Sequence, residues 1–136
     1  MAALGLETVM READDEIRRL EQALPGRDLA LHPTVDQALS LANRLMLAFA
    51  QTAGRSLDIS ADADPLEVFK AFVKGDPSLN AIRDNVRELV YYRNCLVSGR
   101  EDALPVNPVA MTVRTIRHIY LYMRTRAIKE HGLQEA

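Results

Sequence analysis

The chain has 136 residues, 48% apolar and 26% charged, with a net charge of −2. That length suits one domain, residues 1–136, with a real hydrophobic core, and the composition is that of a soluble globular protein. The near-neutral balance excludes a protein that holds nucleic acid through bulk charge alone.

Taken in chain order, helical periodicity dominates and strand patterns are almost absent. Leu6, Val9, Met10, Ala13, Ile17, Leu20 and Leu24 recur at spacings of three and four, which predicts an amphipathic helix stopped by Pro25-Gly26. Its charged run READDEIRRLE reads as a helix surface with internal ion pairs. A second helix is expected from about Pro33, carrying Val35, Ala38, Leu39, Ala42, Leu45, Met46, Phe49 and Ala50, with its stop at Gly54.

Three further starts share one signature: Asp64-Pro65, Asp76-Pro77 and Asn107-Pro108. Each places a capping side chain before a proline at the first helical position, where the missing N–H costs nothing. They predict a short helix (Leu66, Phe69, Phe72, Val73), a long one to about Ser98 and a last one to about Glu130. Arg55 to Asp62 and Arg100 to Val106 read as loops, and His131 falls in a fraying tail, HGLQEA. The fold class is therefore all-α, a compact bundle of four main helices and one short one.

Charge is uneven along the chain. Residues 1–78 carry 8 basic and 13 acidic side chains, and residues 79–136 carry 9 and 6, so an anionic partner belongs to the second half. A single cysteine, Cys95, rules out an internal disulfide and a cysteine-rich zinc site. The start of the sequence has no secretory pattern, and the apolar run Leu45 to Ala50 is far too short to span a bilayer. A cytoplasmic protein without membrane contact is expected. No glycine-rich phosphate loop, nucleophile elbow, zinc-ligand spacing or Glu-x-x-His pattern is present, so no cofactor or metal is expected.

One residue breaks the pattern. On the long helix ending near Ser98, Leu79, Ile82, Val86, Leu89, Val90, Leu96 and Val97 share one side, and Arg93 lies within that arc. A guanidinium cannot be neutralised by deprotonation. It therefore needs a carboxylate, a cluster of carbonyls, or a cavity that admits water or a ligand. Tyr91 and Tyr92 flank it and are expected to point away from the arc. With Cys95 and Ser98 they form a flank suited to a dimer seam, where tyrosine buries area while keeping a polar tip.

The stretch Arg93-Asn94-Cys95-Leu96-Val97-Ser98-Gly99 resembles the signature of the HEPN superfamily of small helical bundles. In that signature an arginine, usually followed by asparagine, precedes a histidine near the end of a long helix, commonly as Arg-Asn-x-Leu-Val-His-Gly. The resemblance covers residues 79 to 126. It implies a homodimer with two motifs facing one cleft, and settings such as toxin–antitoxin pairs or antiviral defence with a protein partner encoded nearby. In active members the pair supports metal-independent RNA cleavage, the histidine moving the 2′-hydroxyl proton and the arginine holding the phosphate.

Here Ser98 stands where the family has its histidine, and a serine without a neighbouring base is a poor proton acceptor. The resemblance thus implies a non-catalytic member that binds RNA, a nucleotide or a protein partner through Arg93, Asn94 and Ser98. The alternatives are a ribonuclease with another base and a plain helical assembly subunit.

Among the histidines, His32 reads as a cap or surface residue. His118 lies opposite the last helix's core stripe (Val109, Val113, Ile116, Ile119, Tyr120, Met123, Ala127), together with Arg114, Arg117 and Lys129. That face is either a solvated surface or a sequence-independent RNA contact.

Overall fold

The helix at the centre of the fold is the one whose sequence is apolar nearly all round. The structure, a computed structural model, describes residues 2–24, 29–55 and 58–133, with side chains from Gly5 onward. The expected Pro25-Gly26 stop lies outside those residues. In chain order the helices are α1 (Ala2–Ala23), α2 (Leu31–Thr52), α3 (Pro65–Lys74), α4 (Arg83–Val97) and α5 (Pro108–His131). There is no strand among the described residues. Helix α2 packs on all four others, and three of its alanines, Ala38, Ala42 and Ala50, are fully buried where neighbouring helices come close. The other helices each turn one apolar face to it, as their spacing predicts.

Two of the three proline starts behave as expected. The Asp64 carboxylate accepts the Leu66 N–H at 3.0 Å, and Asp76 accepts the Ser78 N–H at 3.1 Å. After Asp76, however, Pro77–Ile82 winds as a 3-10 helix before α4 begins at Arg83. Its three-residue period places Leu79 and Ile82 one above the other, and both are buried. Asn107 is the exception. It takes a left-handed conformation (φ 57°) and its side chain caps nothing, while its carbonyl accepts the Met111 N–H at 3.1 Å. The following proline disfavours the right-handed region there, and asparagine tolerates the left-handed one.

The end of α4 is built by its own sequence. Ser98 Oγ donates to the Asn94 carbonyl at 2.6 Å, and the Arg100 N–H returns to the Cys95 carbonyl at 2.7 Å across Gly99. Gly99 has φ 71°, which a side chain at that position would resist. A short 3-10 turn (Glu101–Ala103) then folds back so that the Tyr91 hydroxyl donates to the Ala103 carbonyl at 3.0 Å.

Two polar side chains staple the loop between α2 and α3. Buried Asn43 donates through Nδ2 to the Ala61 and Ala63 carbonyls, at 3.0 and 2.9 Å. Arg55 caps the end of α3, donating to the Ala71 and Phe72 carbonyls at 3.1 and 2.6 Å. A Cβ on Gly75 would lie 2.7 Å from Arg55 Cδ, so that arrangement requires glycine. The tail is also better held than expected: His131 ends α5 with its ring edge-on to Phe49 at 5.0 Å, and Leu133 is buried.

Candidate functional site

Arg93 lies beside the core, half-buried, on the side of α4 that faces α2. Beyond Val90 the buried side of α4 swings towards Tyr92 and Cys95, while Val97 is 73% exposed. The guanidinium therefore stands at the margin of the apolar arc. It lines a groove of about 190 Å³ whose other polar walls are Asp36, Ser40 and Asn43 of α2 and Asp62 of the following loop. Of the three settings expected for its charge, the structure offers the cavity: Arg93 forms no hydrogen bond or ion pair among the described residues and opens into this groove. The Asn43 Oδ1 atom, buried behind the groove wall, also lacks a partner.

Asn94 and Ser98 are exposed on α4 and do not line this groove. With its hydroxyl donating to its own helix, Ser98 is a helix-ending residue. The motif's serine and glycine therefore have a local task that is independent of any ligand.

The flank assigned to a dimer seam needs correction. Tyr92 is 2% exposed and Cys95 4% exposed, both packed inside the protomer. The Tyr92 hydroxyl donates to the Glu88 carboxylate one turn earlier, and burial together with that bond pushes its pKa well above the ordinary tyrosine value. Of the four residues on that flank, Tyr91, at 49% exposure, and Ser98 face outward. The sequence pattern misplaced Tyr92 and Cys95 because it followed the helix's aliphatic stripe. The core at this end is completed by the aromatic ring and the thiol instead.

The basic face of α5 divides in the same way. Arg114, His118 and Lys129 are exposed. Arg117 turns towards α1: Nη1 lies 2.7 Å from Asp14 Oδ1, and Nε and Nη2 bond the two oxygens of Glu21 at 3.1 and 2.8 Å. Its guanidinium also sits 5.1 Å from the centre of the Tyr120 ring. Burial acts to raise the Asp14 pKa, but hydrogen bonds from Arg117 and Arg18 hold the carboxyl below the usual range. Glu16 follows the same rule with Arg44 of α2, at 3.0 and 3.2 Å. The acidic run on α1 thus keeps one of the expected internal pairs, Arg18 with Asp14 at 3.1 Å, and otherwise pairs with α2 and α5.

At the opposite corner Arg126 reaches Asp76, the cap of the 3-10 helix, at 2.8 Å, and also bonds Glu130 and the Tyr122 hydroxyl. His32, in the first turn of α2, has Nε2 3.7 Å from the Asp36 carboxylate, and Asp36 belongs to the Arg93 groove. No cluster of metal-ligating side chains occurs among the described residues, and none of their helices is long and apolar enough to cross a membrane. Compared with protein-family models, curated proteins and solved structures, the chain matches none.

Proposed function

We propose that this chain is a non-catalytic, HEPN-like binding domain whose Arg93 groove receives a nucleotide unit of RNA. The observation that carries this reading is a half-buried guanidinium with no carboxylate of its own. Arginine's planar fork suits a phosphate, and Asp36, Ser40 and Asp62 supply acceptors for sugar hydroxyls and base amino groups beside it. Ser98, donating to the Asn94 carbonyl, has no base beside it to make it a proton acceptor, so gripping without cutting is expected. The resemblance places such a domain in toxin–antitoxin or defence systems with a protein partner. It also implies a homodimer, which would meet on Tyr91 and exposed Val97, since Tyr92 and Cys95 are inside.

Anisotropy of a labelled single-stranded RNA tests the reading directly. Salt-sensitive binding should weaken roughly tenfold in Arg93→Met with an unchanged melting temperature, and the RNA should stay intact in EDTA. Undiminished binding in that variant removes Arg93 from the site.

A second reading, a ribonuclease with an unconventional base, is favoured by one contact, His32 beside Asp36 at the rim of the groove. Cleavage in EDTA that disappears in both His32→Gln and Arg93→Met would establish it over the first.

A further inference from the structure

A second described groove, wider than the one that holds Arg93, lies elsewhere on the molecule. It runs between α1 and α5 and has a volume of about 320 Å³. Arg11 and Arg18 line it from α1, and Arg117 and Arg124 line it from α5. In each helix the two arginines are seven residues apart, two turns or roughly 10 Å, so both walls carry guanidinium groups at both levels. Two carboxylates, Glu7 and Asp14, line it beside the four cations, and a third, Glu21, holds Arg117.

Asp14 is already held by Arg117 at 2.7 Å and by Arg18 at 3.1 Å, and Glu21 also bonds Arg117, so these two arginines are committed to acids of α1. Arg11 has no ion-pair or hydrogen-bond partner among the described residues. Between the cationic walls the lining is apolar: Met10 and Leu133, both buried, the face of Tyr120, and Leu121, which is 47% exposed. Cationic walls over an apolar floor, in a groove of this size, match a small molecule with two chemically different ends. They do not match a bare phosphate ion, which has no use for the floor. Nor do they match a nucleic-acid backbone, whose repeating charge calls for a longer basic track.

We infer that the groove between α1 and α5 is a binding site for a small amphipathic anion. An aromatic or acyl body would lie on Tyr120 and Leu121, and a phosphate or carboxylate head would meet Arg11. The site is on a different face from Arg93 and does not depend on the RNA reading.

The fluorescent probe 8-anilinonaphthalene-1-sulfonate has the required form, an aromatic body with one anionic head. Titrated into the wild-type protein, it should bind saturably with one site per chain. Arg11→Gln and Leu121→Glu, both at exposed positions, should each raise its Kd roughly tenfold while the melting temperature stays within the wild-type range. Arg93→Met should leave it unchanged. Displacement by AMP assigns an aromatic body and displacement by decanoate an acyl one, whereas inorganic phosphate should displace only at far higher concentration. Non-saturable binding, equal affinity in the Arg11 and Leu121 variants, displacement by neither organic anion, or displacement by phosphate as readily as by AMP would each overturn the site.

Discussion

Arg117 and Arg93 are both half-buried helical arginines, each beside an apolar stripe, yet they live in opposite electrostatic surroundings. Arg117 is held by two carboxylates of α1 and lies over an aromatic face. Arg93 shares its groove with Asp36 and Asp62 but pairs with neither. From the sequence, Arg117 falls on a face that is either solvated or in contact with RNA, and Arg93 needs a carboxylate, carbonyls or a cavity; in the structure the carboxylates go to Arg117 and the cavity to Arg93. The difference teaches that an arginine's position on its own helix says little about its availability. What decides is whether a neighbouring helix places an acid within reach.

The largest expected effect follows from removing the paired arginine. Arg117→Met leaves Glu21 without this partner and Asp14, only 21% exposed at its side chain, with Arg18 alone. The loss should be about 2 kcal/mol, between the small value of a surface pair and the larger value of a buried one. A urea denaturation midpoint close to wild type would show that the α1–α5 network is ornamental to stability.

A somewhat smaller effect is expected where the Arg93 groove meets its supporting loop. Asn43→Ala leaves the Ala61 and Ala63 carbonyls without their donor, and Ala63 is half-buried. About 1–2 kcal/mol should be lost. Because this side chain positions the groove's far wall, RNA affinity should fall together with stability, unlike in Arg93→Met. If affinity is retained while stability drops, the loop is not part of the site.

How much of this was legible in the sequence depends on the range of the interaction concerned. The Asp64-Pro65 and Asp76-Pro77 starts were readable because cap, proline and accepting oxygen lie within two residues of one another. Gly99 was readable as part of a motif, but the same residue is needed simply to end α4. The partners of Arg117 are 96 and 103 residues away, and no helical periodicity reports on that. The groove between α1 and α5 did leave a trace, the repeated seven-residue spacing of Arg11 with Arg18 and of Arg117 with Arg124. Only the packing of the two helices makes those spacings opposite walls of one cleft.

Acid should expose the same contrast more gently. The Asp14, Glu16 and Asp76 carboxyls all lie below their ordinary values of 3.8, 4.5 and 3.8 in the folded chain. A carboxyl depressed by folding contributes its stabilisation fully above its unfolded pKa and loses it as pH falls through the folded one. Melting temperature should therefore hold from pH 7 to about 5 and decline from roughly pH 4.5 downward. Arg117→Met should give a shallower decline, since Asp14 has then lost its main partner. Arg93→Met should follow the wild-type curve. Parallel curves for wild type and Arg117→Met would mean that the acid sensitivity arises elsewhere, for instance at Asp76 and Arg126.

The smallest stability effect is predicted for Arg93 itself, and it decides what that residue is for. An unpaired guanidinium at the edge of the core forgoes part of its hydration without receiving a hydrogen bond in return. Methionine has similar reach, suits the flank of Leu39 and Pro65 that lines the same groove, and carries no charge to solvate. Arg93→Met should therefore change the free energy of unfolding by no more than about 0.5 kcal/mol, in either direction. A residue that can be removed at so little cost to the fold, yet whose removal weakens RNA binding, is held for its ligand. A loss approaching that of Arg117→Met would instead assign Arg93 to the architecture of α2 and α4. The groove would then be only the gap between an arginine and its neighbours.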